Sequence, residues 1–205
     1  SCDTEVIAHA FEHWGSACLH ELNGDFALAI WDSHTREIFL ARDRFGVRPL
    51  FVAQFGAELA FASEIKALLR HPAAERALDP SGLAETFTLW SELPDRTVFQ
   101  GIRQLAPGHS LRFGPKGLIE ERRWWDINFT VPSSSDAAHE EDLAAELRSL
   151  LEDSVTLRLR ADVSVGTYLS GGLDSSIITA LTRRVAPHGH PAFGVGFEDA
   201  RYDES

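Results

Sequence analysis

A run of ten residues near the C-terminal end of the chain constrains the fold more than any other feature. It has the sequence Thr-Tyr-Leu-Ser-Gly-Gly-Leu-Asp-Ser-Ser and occupies residues 167–176. The apolar, β-branched stretch at residues 163–169, which overlaps the start of this run, predicts a strand, and Ile177, Leu181 and Val185 recur at helical spacing after the run. A glycine-rich loop between a strand and a helix presents backbone N–H groups to an anion. The run therefore predicts a phosphate-binding turn in an α/β sheet.

The side chains of this loop suit the same task. The hydroxyls of Ser170, Ser175 and Ser176 can add donors, and Asp174 can hold a metal ion that screens phosphates. A Walker loop needs a Lys-Ser/Thr pair after its last glycine, and this loop contains no lysine. The sequence is instead similar to the pyrophosphate loop of enzymes that cleave ATP between its α and β phosphates and leave AMP on the substrate. An ordinary glycine-rich turn is the alternative interpretation.

Composition bounds the other possibilities. The chain has 205 residues, of which 44% are hydrophobic, and this is enough for one large domain or two small ones. Its net charge of -12 disfavours nonspecific binding to nucleic acid or anionic membranes. The two cysteines, Cys2 and Cys18, predict neither a disulfide framework nor a zinc site, so we expect a cytoplasmic protein. Because the chain lacks methionine and has no C-terminal element, we expect it to be an internal piece of a longer protein.

The first 130 residues have the pattern of an antiparallel β domain. Helical spacing predicts a helix that places Val6, Ile7, Ala10, Phe11 and Trp14 on one face. Two hairpins are expected, at residues 26–42 and 50–62. Further elements are expected as a short helix from Ser63, a helix from Asp79-Pro80 to about Thr88, and strands at 98–102, 110–113 and 118–124.

A polar, proline-containing segment divides the chain. We expect residues 131–140 to link a first domain at 1–130 to a second domain at 141–205. The second domain begins with a predicted amphipathic helix, and we expect its apolar stripe to pack in the core. That stripe consists of Leu143, Leu147, Leu150, Leu151 and Val155. A strand at 163–169, a helix and a second strand near 193–197 then follow in the order typical of a parallel sheet.

Several motifs occur in a specific order along the whole chain. They are Ser-Cys-Asp-Thr-Glu-Val at 1–6, Leu-Asn-Gly-Asp-Phe-Ala at 22–27, Arg-Asp-Arg-Phe-Gly-Val-Arg-Pro-Leu at 42–50, Ser-Glu-Ile-Lys-Ala-Leu at 63–68, Leu-Ala-Pro-Gly-His at 105–109, Trp-Trp-Asp at 124–126, Arg-Ala-Asp-Val-Ser-Val-Gly at 160–166 and Gly-Phe-Glu-Asp-Ala-Arg-Tyr-Asp-Glu at 196–204. With the glycine-rich loop, this succession resembles the glutamine-hydrolysing asparagine synthetases, from the end of their glutaminase domain to the start of their synthetase domain.

The resemblance implies a fold class and a reaction. It implies an incomplete α+β N-terminal-nucleophile glutaminase domain with αββα layers, followed by an incomplete α/β parallel-sheet ATP-pyrophosphatase domain. Members of the family hydrolyse glutamine, use ATP and Mg²⁺ to adenylate the side-chain carboxylate of aspartate, and displace AMP with ammonia. The expected partners are therefore these small molecules, with neither nucleic acid nor membrane, and a homodimer of the full-length protein is left open.

The resemblance also assigns site residues. ATP and pyrophosphate binding falls on Leu169, Ser170, Gly171, Gly172, Asp174, Ser175 and Val195, with Mg²⁺ held by Asp174 through the pyrophosphate. Asp3 matches the carboxylate that binds the α-amino group of glutamine. An N-cap for a helix from Thr4 is its structural interpretation, and the two roles are compatible. No catalytic residue is expected in this stretch, because the family's nucleophilic cysteine lies upstream. Cys2 is expected to be a small buried residue, and the stretch alone is expected to be inactive.

Other interpretations remain open. Arg42, Asp43, Arg44 and Arg48 could form a phosphate site, but a strand-exit loop held by internal ion pairs is preferred. A related adenylating enzyme of the β-lactam-synthetase type with a non-functional glutaminase domain is one alternative to asparagine synthesis. An inactive truncated product is the other.

Overall fold

The computed structural model describes residues 2–129, 140–187 and 189–196. The chain divides into two compact units, Ser1–Phe129 and Thr130–Ser205. The expected linker at 131–140 lies outside the described residues except for Glu140, so the expected domain boundaries stay a prediction.

The first unit contains two antiparallel sheets. Its elements are α1 (Asp3–Trp14), a 3-10 turn (Gly15–Ala17), α2 (Cys18–Glu21), β1 (Ala27–Asp32), β2 (Glu37–Arg42), β3 (Phe51–Phe55), β4 (Glu58–Ala62), α3 (Ile65–Leu68), α4 (Pro80–Leu89), β5 (Ile102–Gln104), β6 (His109–Gly114) and β7 (Gly117–Arg123). The first sheet has the strand order β1-β2-β6-β7 and the second has the order β4-β3-β5. All of these strand pairs are antiparallel.

Alternation along β2 shows how the layers are built. Leu40 is fully buried in a cluster that also contains Leu111 of the first sheet and Val52 of the second, so this cluster fills the space between the sheets. Phe39 and Ala41, its neighbours in β2, belong to a different cluster. Because successive side chains of a strand point to opposite faces, the second cluster lies on the outer face of the first sheet.

Helices cover both outer faces of the pair of sheets. Ala10 of α1 and Leu19 of α2 pack in the cluster on the first sheet. On the second sheet, Leu68 of α3 packs with Ala53 and Ile102. The order of layers is therefore helix, sheet, sheet, helix, and the fold class expected for this unit is confirmed.

The structure corrects the expectations about Cys2, about the apolar face of α1 and about the strand at 98–102. Cys2 is exposed and serves as the N-cap residue of α1, so it is not a buried small residue. The apolar face of α1 is narrower than predicted, since Val6 and Trp14 are both more than half exposed. The strand expected at 98–102 begins only at Ile102, because the chain turns through Gly101 at a φ of 73° first.

The second unit contains a β-α-β arrangement. Its elements are α5 (Glu140–Arg158), β8 (Thr167–Tyr168), α6 (Leu173–Val185) and β9 (Ala192–Phe193). β8 and β9 pair in parallel, as expected for an α/β sheet. Both strands are shorter than the predicted stretches at 163–169 and 193–197, the second of which lies partly outside the described residues. Each strand has one ladder partner within the described part of the chain, and pairing is what extends a strand.

Helix α5 forms as predicted, but most of its apolar stripe is not in a core. Leu143, Leu147 and Leu150 are 54%, 58% and 59% exposed, whereas Val155 is buried. The C-terminal half of α5 approaches α6, where Arg184 pairs with Glu152 at 3.0 Å. Among the described residues, nothing covers the stripe nearer the N-terminal end, so the expected core packing is wrong there.

Candidate functional site

Residues 169–176, called the glycine loop below, connect β8 to α6. Leu169 N donates to Phe193 O at 2.8 Å, so the loop leaves directly from the parallel strand pair. Gly171 has a φ of 85°, a conformation that favours glycine. Gly172 is the N-cap residue of α6, and no side chain caps this helix end. The N–H groups of the first helical turn therefore have no intrahelical acceptor and can bind an anion.

Three serine hydroxyls form hydrogen bonds within the glycine loop. Ser175 Oγ donates to Gly172 O at 3.1 Å and accepts from Ser170 N at 3.2 Å. Ser170 Oγ lies 3.1 Å from Ser175 Oγ. Ser176 Oγ donates to Gly172 O at 2.8 Å. The side chains of Ser170 and Ser175 thus connect the strand end of the loop to the start of α6.

The space beside Gly172 is open. Its φ is -71°, which any residue adopts. A Cβ built on it would meet only Ser170 Oγ, at an ordinary contact distance of 3.6 Å. The packing of the protein therefore does not require a glycine at position 172. A phosphate that approaches the backbone would require a glycine there.

Asp174 lies in the first turn of α6, close to the free N–H groups. Its carboxylate has no hydrogen bond or ion pair with another described residue. Across the described residues, no group of three or more His, Cys, Asp or Glu side chains could hold a metal ion by itself. Asp174 is therefore a single exposed carboxylate at a site otherwise made of backbone donors.

Val195 follows β9 by two residues and is 69% exposed. A Cβ on Gly194 would stand 3.1 Å from Leu169 O, so the ends of the two strands approach each other closely. Parallel strands end at the same edge of a sheet. The structure thus brings Leu169 and the residues that precede Val195 together.

Asp3 is the first residue of α1 and is exposed. The expected N-cap role is wrong, since Cys2 holds that position and no side chain caps the helix. The carboxylate of Asp3 has no partner among the described residues. Its proposed contact with glutamine stays a prediction.

The loop after β2, residues 43–48, is called the Asp43 loop below, and backbone bonds hold it together. Asp43 is only 2% exposed. Its Oδ1 accepts from Phe45 N at 3.1 Å and from Val47 N at 3.0 Å, and its Oδ2 accepts from Arg48 N at 3.0 Å. The carboxylate thus occupies the place in this loop where an external anion would bind, so the loop is not a phosphate site.

Arg42 fixes the same loop from the other side. Its guanidinium donates to Gly46 O at 2.7 Å, to Arg48 O and Leu105 O at 2.8 Å, and to Gln104 Oε1 at 3.0 Å. Burial lowers the pKa of Arg42, and the nearby carboxylate opposes that shift. The internal ion pairs expected here are replaced by hydrogen bonds to backbone and amide oxygens.

Comparison with known proteins agrees with this architecture. Residues 1–125 match a model of the glutamine amidotransferase domain, and residues 146–205 match a model of asparagine synthase. The chain therefore belongs to the glutamine amidotransferase family. Its succession of the two domains confirms the expected resemblance to glutamine-hydrolysing asparagine synthetases. Within the described residues, no helix has the length and apolarity needed to cross a membrane.

Individual relatives match along most of this chain. It is 44% identical over 180 residues to glutamine-hydrolyzing asparagine synthetase 3 of Bacillus subtilis, covering 87% of this chain and 28% of the relative. It is 37% identical over 209 residues to a putative glutamine-hydrolyzing asparagine synthetase of Mycobacterium tuberculosis, covering 98% of this chain and 31% of the relative. It is 33% identical over 180 residues to amidase chyE of Penicillium rubens, covering 87% of this chain and 26% of the relative. The chain thus spans less than a third of the length of these relatives.

Proposed function

We propose that this chain is part of an enzyme that makes asparagine from aspartate and ATP, with glutamine as nitrogen donor, through a β-aspartyl-AMP intermediate. The observation that carries the proposal is the glycine loop, which joins a parallel strand to an uncapped helix start. It occurs in a chain whose first unit is a glutamine amidotransferase domain. A glutamine amidotransferase domain and a proposed ATP site on one chain suit ATP-dependent amide formation.

The chemistry explains why the two domains are needed together. A carboxylate is a poor acyl donor, so one of its oxygens attacks the α-phosphorus of ATP, the bond to the bridging oxygen breaks, and pyrophosphate leaves. Ammonia released from glutamine then attacks the acyl carbon, and AMP leaves. Hydrogen bonds aimed at the charge that develops on the phosphates lower the barrier of the first step.

The residues of the glycine loop fit ATP and Mg²⁺. The open space at Gly172 leaves room for a phosphate beside the backbone, and the uncapped start of α6 supplies donors. Asp174 would hold Mg²⁺, which usually takes one or two carboxylates and completes its shell with phosphates and water. When bound, Mg²⁺ would neutralise phosphate charge. Leu169 and Val195 would border the adenine side of the site.

Pyrophosphate exchange tests the adenylation half of the proposal. The full-length protein is incubated with ATP and radiolabelled pyrophosphate, with and without aspartate. We expect label to enter ATP only when aspartate is present. Exchange with a different carboxylic acid would favour the second candidate, an amide- or lactam-forming relative, for which the similarity to a protein named as an amidase is the supporting observation. No exchange with any acid would contradict both candidates and favour the inactive product.

Asp3 tests the glutamine half. Its exposed carboxylate at the start of α1 is proposed to bind the α-amino group of glutamine. In the full-length protein, Asp3→Asn should impair asparagine formation with glutamine and spare it with free ammonia. An equal loss with both nitrogen sources would show that Asp3 has only a structural role.

A further inference from the structure

The indole N–H of Trp124 is buried and has no hydrogen-bond partner among the described residues. Trp124 is 7% exposed, and its Nε1 atom is out of contact with bulk solvent. An indole nitrogen can only donate, and a buried donor that stays unpaired lowers stability. Buried tryptophans therefore usually have an acceptor for this group. At Trp124, that acceptor is not one of the described protein atoms.

The indole ring is held by contacts on several sides. Phe26 stacks on it, with 6.2 Å between the ring centroids and 18° between the planes, and His20 meets it edge-on at 5.6 Å. The guanidinium of Arg44 lies 5.2 Å from the ring centroid and donates to Leu22 O at 2.6 Å. A rotation of the ring towards another acceptor would break these contacts, so the direction of the N–H is fixed.

A small cavity of about 70 Å³ adjoins the indole ring. Ser110 of β6 pairs with Arg122 of β7, and Trp124 follows Arg122 by two positions, so the three residues share the outer face of the first sheet. The 3-10 turn and α2 cover this face. The polar residues that line the cavity are Ser16, His20, Ser110, Arg122 and Trp124. A water molecule needs roughly 10–15 Å³ of such space and two to four polar partners, so it fits here.

Ser110 has a second unpaired polar group at the same cavity. It is 6% exposed, and its hydroxyl forms no hydrogen bond with another described residue. A serine hydroxyl can donate one hydrogen and accept others, whereas the indole N–H can only donate. Two buried groups that line one cavity without a protein partner are the kind of pair that an internal water connects.

We propose that this cavity is a hydration site in which one water molecule accepts from Trp124 Nε1 and donates to Ser110 Oγ. A water suits the site better than an anion, because the side chains of Ser16, Ser110 and Trp124 are neutral and the chain has a net charge of -12. The second hydrogen of the water is directed towards Ser16 and His20. The water thus links the segment that contains α2 to the first sheet.

A crystal structure of the full-length protein tests the location of the water. We expect density at a hydrogen-bonding distance of about 2.7–3.2 Å from Trp124 Nε1, and also within reach of Ser110 Oγ. Featureless density at this position would overturn the proposal. Crystals soaked in bromide test the anion, and an anomalous peak beside Trp124 Nε1 would overturn the proposal in favour of a halide site.

Replacing Ser110 distinguishes a dry cavity from a hydrated one by the sign of its effect. In a dry cavity, Ser110→Ala removes an unpaired buried hydroxyl and should leave stability unchanged or raise it. In a hydrated cavity it removes a bond to the water and should raise the unfolding equilibrium constant about three- to tenfold, measured by urea denaturation of the full-length protein. This variant loses a single oxygen atom, so the test holds even if Trp124→Phe does not fold.

A double-mutant cycle shows whether Ser110 and Trp124 act through the same water. Trp124 Nε1 makes no bond to Ser110, so any coupling between the two polar groups passes through a third molecule. The effect of Ser110→Ala should therefore fall below about twofold in a Trp124→Phe background. Trp125→Phe is the matched control, because Trp125 lines a different cavity and should leave the effect of Ser110→Ala intact. Equal effects of Ser110→Ala in all three backgrounds would overturn the proposal.

Discussion

The glycine loop and the Asp43 loop use the same backbone chemistry in opposite ways. In the Asp43 loop, three N–H groups converge on the buried carboxylate of Asp43. In the glycine loop, the N–H groups at the start of α6 meet no capping side chain, and Asp174 has no partner among the described residues. One loop contains its own anion and the other leaves that place open. A cluster of backbone donors thus indicates a ligand only where the chain does not fill it.

The glycines of the two loops differ in the same way. Gly46 has a φ of 65°, and a Cβ on it would lie 2.8 Å from Pro107 Cγ and 2.9 Å from Arg42 Cζ. Gly172 has an ordinary φ and open space around it. The packing of the protein therefore requires the first glycine and does not require the second. Gly172 is consistent with a site that is shaped for a ligand.

Replacing Asp43 should have the largest effect. Asp43→Asn removes a buried charge and turns an amide donor towards backbone N–H groups that need an acceptor. We expect a loss of about 3–5 kcal/mol in the free energy of unfolding, measured by urea denaturation. Asp126→Asn is the matched control, because Asp126 is 58% exposed in its pair with Arg123 and should matter by less than about 1 kcal/mol. Similar losses in the free energy of unfolding for both variants would mean that the burial of Asp43 in its loop adds nothing to stability.

Replacing Asp174 should leave folding intact and stop the chemistry. Its carboxylate is exposed and has no partner among the described residues, so Asp174→Asn should unfold at the same urea concentration as the parent. Pyrophosphate exchange should fall roughly a hundred- to thousandfold, or about 3–4 kcal/mol in the barrier, because a charge-assisted contact to the phosphates is lost. Near-normal exchange would show that the glycine loop is only a structural turn.

The two glycines give a smaller but cleaner contrast. Gly46→Ala should destabilise the protein by about 1–3 kcal/mol, because the new methyl group meets Pro107 and Arg42 and the left-handed backbone is strained. Gly172→Ala should change stability by less than about 0.5 kcal/mol, as at an ordinary surface position, yet weaken pyrophosphate binding. Thermal unfolding and calorimetry of both variants check this. The contrast between the two loops is refuted if the Gly172→Ala variant is less stable than the Gly46→Ala variant.

The sequence predicts local features well and burial poorly. Alternation and a polar turn placed the first hairpin within a residue of β1 and β2. The Asp79-Pro80 pair correctly predicted the start of α4, where Asp79 accepts from the backbone of Ser81 and Gly82. These signals lie within a few residues of each other, so no knowledge of distant partners is needed to read them.

Most of the expectations that failed depended on distant partners, and the N-cap expected at Asp3, which the structure places at Cys2, is a local exception. The apolar run at 163–169 predicts a whole strand, yet within the described residues only Thr167–Tyr168 pairs with another strand. Spacing predicted α5 but could not tell that Leu147 would be left exposed. The sequence predicted internal ion pairs in the loop around Arg42 and not hydrogen bonds, because the acceptors on residues 104 and 105 are more than sixty positions away. An aspartate followed by a short segment that contains glycine was the one local sequence signal of the Asp43 loop.

The turn between β1 and β2 gives the smallest expected effect and extends the contrast to an exposed carboxylate. Asp32 accepts from His34 N at 2.8 Å and from Thr35 N at 3.3 Å. These bonds, the one from His34 first, lower the pKa of Asp32 because they favour the charged form. Since the pKa is lower in the folded state, the stabilisation is present above the unfolded-state pKa and is lost as the pH falls through the folded-state pKa.

We expect a carboxyl titration by NMR to place the pKa of Asp32 below that of an ordinary aspartate. Asp32→Asn should lower stability slightly at neutral pH and leave it unchanged in acid, where Asp32 itself is protonated. An ordinary titration midpoint would show that these two backbone bonds do not stabilise the charged form of Asp32.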